Sequence, residues 1–391
     1  ICCFLYITMK ILFIARGYPT KDNPMNGNYE AIQAQAMVKQ GHQVAFIALS
    51  WRSVIHIFKE QVIIYRRIDG IDVYEYKALL PILPKISFGY NYLLYFKKKA
   101  LRKVYRECTK QFGIPDVVHS HSLFCSEWAV TLKERYNLPL VFTEHWSKLN
   151  AFQIGKYTER RGKAYKKADA IITVSYALSE KLSHFFGVSS YVIFNMVNDD
   201  FFSDVKSAVK KESEFHFIAV GTLCKRKGYD ILIEAFKRAH FNRNVYLDIL
   251  GTGIESFNLQ KLIKQFGLQE QIILHGLKTP EQVAQMLSFS NAFVLSSFVE
   301  TFGIVLIEAM ANGLPVVATT CGGPEEFVTE KCGLLVPPGD VRALSDAMLK
   351  IYRNKNDYNP EEIRNYCYSS FSQQVIAKKI IEIYDHVISK S

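Results

Sequence analysis

Short, unbroken apolar runs alternate with amphipathic stretches along the chain. KILFIA (10–15), QVAFIA (43–48), DVVHS (116–120), PLVFT (139–143), AIITVS (170–175) and YVIFN (191–195) are predicted strands. Runs with few polar interruptions suit parallel strands covered on both faces. Helical periodicity lies between several of them, as in NYEAIQAQAMVKQ (28–40), which Gly41 closes. The pattern then starts again. HFIAVG (216–221), VYLDILG (245–251), QIILHG (271–276), NAFVLSS (291–297), PVVATT (315–320) and LLVPPGD (334–340) are predicted strands. Helices are predicted between and after them at 229–239, 256–266, 280–288, about 303–312 and 341–352, and 360–391 reads as terminal helices. The polar stretch around 196–213 predicts a linker. This alternation predicts an α/β chain of two Rossmann-like, doubly wound domains, 9–198 and 199–371. Ligands of such sheets sit beyond the carboxyl ends of the strands, so two facing domains are expected to hold the site in the cleft between them.

A length of 391 residues fits two or three domains at roughly 150 residues each. Apolar residues at 49% and charged residues at 22% are ordinary globular usage. No stretch reaches the ~18 apolar residues of a membrane-spanning helix. Residues 1–8, ICCFLYIT, lack the basic start and small-residue cleavage site of a signal peptide. Met9 opens a natural first strand, and the native chain is expected to begin there. The eight cysteines (2, 3, 108, 125, 224, 321, 332 and 367) are scattered, with no C-x-x-C pair and no zinc spacing. Reduced thiols in a cytosolic protein are the expectation.

Charge changes the picture for one half only. Residues 1–195 hold 27 Lys+Arg against 14 Asp+Glu, and residues 196–391 hold 21 against 23. A basic half points to a polyanionic neighbour such as nucleic acid, acidic lipid or a phosphorylated substrate. Within it, residues 85–110 carry eight cations (Lys85, Lys97, Lys98, Lys99, Arg102, Lys103, Arg106 and Lys110) among aromatic residues. Such a helix is either a solvated face or a stretch that lies on an anionic membrane.

Candidate chemistry clusters in the loops after strands. Glu300 follows strand 291–297, Phe302 and Gly303 open the next helix, and Glu308 lies inside it. A helix N-terminus offers free N–H groups to an anion, glycine permits close approach, and a glutamate suits ribose hydroxyls. Two surface glutamates at this spacing also occur by chance. Lys225, Arg226 and Lys227 precede a helix, where cations oppose the dipole; a ligand anion or plain solvation would each offset them. The loop TTCGGPEEF (319–327) is either a backbone approach to ligand or a tight turn. Residues 16–27 form a long Gly/Pro loop that is neither a P-loop nor G-x-G-x-x-G, and LGTG (250–253) is a lone G-x-G. His119, His121 and His145 stand at strand ends, where histidines are usually structural but His145 has the better position for chemistry. No D-x-D metal motif is present.

Together these segments resemble the retaining GT-B glycosyltransferases of the large group 1 family, family 4 type, which includes bacterial polysaccharide and lipid hexosyltransferases. The resemblance covers nearly the whole chain from Met9, above all in ETFGIVLIEAMANGLPVVAT paired with VGTLCKRKGYDILIEAF. It implies a GT-B fold with the C-terminal helix, about 372–391, packed on the first domain. It implies transfer of a hexose-type sugar from a UDP- or GDP-sugar to a glycan or lipid-linked hydroxyl, with no cofactor or metal. The implied roles are Lys227 at the donor diphosphate, Gly27 approaching it, and Glu300 at the sugar hydroxyls, assisted by amides near Phe302 and Gly303. Glu308 would bind ribose, His145 would stand by the reacting sugar, and Asn195 would line the cleft. Many members have Arg where this chain has Thr222, and Arg226 or Lys225 is expected to supply that charge. A cytoplasmic protein, peripheral on the inner membrane face, is implied. The same fold also serves epimerases and phosphorylases. A basic nucleic-acid binder is the reading from another class, and no RNA- or DNA-reading signature supports it. A dehydrogenase would need a first-strand G-x-G-x-x-G, which is missing.

Overall fold

The computed structural model describes residues 8–20, 23–53, 62–80, 89–145, 149, 162–202 and 213–390. Residues 1–7, the loop residues 21–22, Lys85 and residues 203–212 of the expected linker lie outside the described residues. The chain divides into two compact units. Unit 1 comprises Ile1–Val174, Ser179–Ile193 and Ile376–Ser391, and unit 2 comprises Ser175–Leu178 and Phe194–Val375.

Unit 1 is built from β1 (Lys10–Ala15), α1 (Asn28–Lys39), β2 (Gln43–Ser53), β3 (Ile63–Ile68), β4 (Ile71–Leu80), α2 (Tyr90–Phe112), β5 (Val117–His121), α3 (Ser122–Tyr136), β6 (Leu140–Glu144), β7 (Ala170–Thr173), most of α4 (Tyr176–Phe186) and β8 (Tyr191–Val192). Its sheet has the order β3-β4-β2-β1-β5-β6-β7-β8. All neighbours run parallel except β3 and β4. That antiparallel pair is absent from the sequence reading. β3 reads IIYRRI with four exposed residues in its centre, so it has no continuous apolar run. Asp69-Gly70, both at positive φ, makes the tight hairpin turn.

The C-terminal segment is held in unit 1 by a polar contact. His119, fully buried on β5, lies 2.5 Å through Nδ1 from the Tyr384 hydroxyl and 2.7 Å through Nε2 from Thr143 Oγ1. Burial pushes this imidazole down to about 3, with His145 adding to the effect, so His119 is a neutral structural residue.

Unit 2 carries β9 (Phe215–Val220), α5 (Tyr229–Arg238), β10 (Val245–Leu250), α6 (Ser256–Phe266), β11 (Ile272–Leu274), α7 (Pro280–Phe289), β12 (Ala292–Leu295), α8 (Ile304–Ala311), β13 (Val316–Thr319), β14 (Gly333–Val336), α9 (Val341–Arg353), α10 (Pro360–Phe371) and the start of α11 (Gln373–Ile388). The sheet order is β11-β10-β9-β12-β13-β14, parallel throughout. The order reverses direction next to β9, so the loops after β9 and β12 lie at the switch point where such sheets take ligands. The core fills with Phe217, Leu247, Ile249, Val294 and Val317, all fully or almost fully buried. Thr279 and Gln282 form a capping box at the start of α7, with Pro280 at its first position, and Asp340 and Asn359 cap α9 and α10. One charge is buried in this sheet. Asp248 of β10 accepts from His216 Nδ1 at 2.7 Å and His275 Nε2 at 2.6 Å. Burial works against its ionisation, but the two imidazole hydrogen bonds outweigh it and hold the carboxyl below its usual range.

Candidate functional site

In unit 2 the loop after β9 and the loop after β12 are tied together. Phe298 N donates to Arg226 O at 2.8 Å, and Ser296 Oγ donates to Lys227 O at 2.9 Å. Gly228 has φ 61, and a Cβ there would stand 2.3 Å from Ser296 O, so only glycine permits this crossing. The result places Lys227 Nζ 2.5 Å from Glu300 Oε1, and Ser297 Oγ donates to the same oxygen at 2.7 Å. Glu300 N donates to Cys321 O at 2.9 Å, which ties the glutamate to the loop after β13. Lys227 and Glu300 keep 15% and 10% of their side chains exposed, so the pair stays reachable from solvent.

The cationic run is less unbalanced than its sequence implies. Lys225 lies 3.3 Å from Asp230 and 3.4 Å from Glu255, and Lys227 has Glu300. Protein carboxylates therefore supply part of the offset assigned above to a ligand or to solvent. Arg226 and Thr222 are exposed in the same loop.

Gly303 precedes α8, and Phe302 beside it is buried against Phe194, Phe327 and Phe371. Phe302 thus has a packing role, and its neighbourhood positions the helix start. Glu308, half-buried on α8, has no side-chain hydrogen bond or ion pair among the described residues. Burial pushes its carboxyl up to about 7. A half-buried acid without a partner marks a place where a ligand donor would be favourable. Asn195 also belongs to unit 2 and is 8% exposed.

The glycine-rich loop after β13 is a tight turn. Gly322 N and Gly323 N donate to the Glu325 carboxylate at 2.9 and 3.2 Å, which occupies both amides. Glu326 accepts from Tyr176 N at 2.8 Å and Ala177 N at 2.9 Å, and so caps the start of α4. Sequence reading missed Ser297 and Glu325. Ser297 sat inside a predicted strand, and Glu325 is separated from its partners only by the turn itself.

In unit 1 the polar groups gather at the carboxyl ends of β1, β5 and β6. Gly27, at φ 75, ends the loop that opens α1, and a Cβ there would stand 2.1 Å from Gly17 O. This glycine is required for loop closure by its own unit. Glu144 is fully buried: its carboxylate accepts from Leu123 N at 2.7 Å, His145 N at 2.9 Å and the Tyr165 hydroxyl at 2.6 Å. It fixes the peptide that carries His145. The His145 Nε2 is 3.8 Å from Glu30 Oε1, a partner that the sequence did not single out. No group of three or more His, Cys, Asp or Glu side chains suited to a metal ion is present among the described residues. No described helix is long and apolar enough to cross a membrane.

The model for glycosyl transferases group 1 matches residues 200–370, and that for glycosyltransferase family 4 matches residues 31–201. The chain is 30% identical to an uncharacterized glycosyltransferase of Methanocaldococcus jannaschii, over 73% of this chain and 79% of that one. It is 25% identical to TuaC of Bacillus subtilis, named for teichuronic acid biosynthesis, over 97% of each chain. The crystal structure of Anabaena Alr3699/HepE in complex with UDP and glucose has the same fold, with a TM-score of 0.73 at 20% identity. The match covers 97% of this chain and 100% of that one.

Proposed function

Because the chain belongs to the group 1 GT-B glycosyltransferases of family 4 type, we propose that it transfers a hexose-type sugar with retention from a UDP- or GDP-sugar to a hydroxyl of a glycan or lipid-linked acceptor. Cell-surface polysaccharide synthesis is the proposed setting, in keeping with the similarity to TuaC. The observation that carries the reading is the Lys227–Glu300 pair, presented at the sheet's switch point beside the start of α8. A cation and a helix N-terminus suit a diphosphate leaving group, and a carboxylate 2.5 Å from that cation suits the hydroxyls of the attached sugar. Glu308, further along α8, suits the ribose. Arg226, Thr222, Gly27, Asn195 and His145 keep the donor-side and reacting-sugar roles that the family resemblance implies.

In the proposed step the anomeric C–O bond to the diphosphate breaks, and the acceptor oxygen bonds to the same face of that carbon. A phosphate oxygen takes the acceptor's proton. Lys227 and the α8 dipole offset the charge left on the diphosphate, so no resident metal or cofactor is invoked. NMR of the new glycosidic bond, formed in the presence of a chelator, tests this. The expected product keeps the donor's α configuration; a β linkage overturns retention, and dependence on added metal overturns the metal-free step.

The first turns of α2 suggest where the protein meets a membrane in the cytoplasm. Tyr92 and Tyr95 are 45% and 55% exposed there, next to Lys97, Lys98 and Lys99. The later half of α2 is anchored in unit 1 by Leu101, Val104 and Cys108, and Lys103 Nζ lies 4.9 Å above the Tyr76 ring. Flotation with liposomes should recover the protein with acidic lipid and leave it behind with neutral lipid at moderate salt. Equal recovery from both removes the membrane surface as a partner.

A further inference from the structure

Glu30 occupies the third position of α1, after a glycine cap that offers no side chain. A glutamate there commonly folds back on the amide of the cap. In this chain its Oε1 is turned to His145 Nε2 at 3.8 Å, with only 15% of the glutamate side chain exposed. The backbone of His145 is fixed separately by the buried Glu144. The peptide of this histidine is therefore held by one carboxylate, and a second carboxylate, from another element, stands beside its ring at a distance longer than a hydrogen bond. Beside it, 6.0 Å between ring centroids, His121 is 2% exposed and its Nε2 has no hydrogen-bond partner. The next residue, Ser122, sits at φ 63, a conformation that a serine adopts only when its surroundings impose it. The Nε2 atoms of both His121 and His145 are buried without a hydrogen bond, which marks a place where a further polar group would be favourable.

We propose that Glu30 is a positioning residue for His145, and that Glu30, His145 and His121 form the surface of unit 1 that meets a reacting sugar hydroxyl. The negative charge of the carboxylate beside Nε2 favours the proton on that nitrogen, and the ring meets the hydroxyl. The proposal rests on the transferase reading given above.

The test uses the full chain, with Glu30→Gln, Glu30→Asp, His145→Ala and the Glu30→Gln/His145→Ala double variant. With a consumed nucleotide sugar, Glu30→Gln should lower kcat by about tenfold and leave donor KM within about twofold, because the favoured proton position is lost and donor contacts are kept. Glu30→Asp should recover part of that loss. In the His145→Ala background the Gln substitution should cost less than about twofold. Losses that multiply in the double variant, or a Glu30→Gln enzyme as fast as wild type, overturn the proposal. A wild-type chain that consumes no donor counts against the transferase reading instead. The imidazole ¹⁵N signals then decide: Glu30→Gln should move those of His145 and leave those of His119 in place, and unmoved His145 signals overturn the contact.

Discussion

Lys227→Ala should lower kcat/KM for nucleotide-sugar consumption by about a thousandfold, the size expected when a charge that stabilises a leaving group is removed. The ammonium stands 2.5 Å from Glu300, and its loop is pinned to the loop after β12 by two hydrogen bonds. Removing it also takes the ammonium away from a carboxylate that is 7% exposed and accepts from Ser297. Loss of the countercharge beside this largely buried carboxylate should lower Tm, so a loss of activity alone is ambiguous. Adding Glu300→Gln removes the carboxylate's charge. The double variant should therefore melt closer to wild type and remain inactive. Recovery of activity together with Tm would show that Lys227 serves packing, not catalysis.

Glu308→Ala should raise donor KM by about a hundredfold with a smaller change in kcat, as fits the loss of two hydrogen bonds to a charged acceptor. The same residue predicts opposite pH trends for function and stability. Burial raises its carboxyl from the ordinary glutamate value of 4.5 to about 7 in the ligand-free protein. A raised group contributes stability that is complete below its unfolded value and is lost as pH rises through its folded value. Between about 4.5 and 7 the ligand-free protein should thus lose stability from this group as pH rises. The ionised form is the one that accepts from ribose hydroxyls, so donor affinity should climb through about pH 7 and level off above it. Glu308→Gln should abolish that affinity step and raise Tm at pH 8. Calorimetry with nucleoside diphosphate and thermal melts across pH read both. A pH-independent affinity in wild type, or a Gln variant that melts lower at pH 8, contradicts the role.

The parallel strands of both sheets were legible because continuous apolar runs such as FIAV and AFVL, alternating with helical patterns, suit strands buried on both faces. The β3–β4 hairpin was not, since an exposed edge strand such as IIYRRI carries no such run. Lys227, Glu300 and Glu308 stood out by chemistry at loop and helix positions. The surrounding polar groups did not: Ser297 bonds Glu300 from three residues away at the end of a predicted strand, and Asp230 and Glu255 pair with the neighbouring Lys225. Glu30 was hidden because 115 positions separate it from His145. The glycine-rich loop after β13 could be read as a ligand loop or a turn, and only the position of the Glu325 carboxylate on its amides resolves it.

Release of nucleoside diphosphate from a panel of UDP- and GDP-hexoses, followed by ³¹P NMR in parallel for wild type and Lys227→Ala, tests the central claim most directly. The expected result is UDP or GDP released from at least one donor by wild type and no release above background by the variant. Absence of both release and binding across the whole panel, with a cooperatively melting wild-type chain, would contradict it.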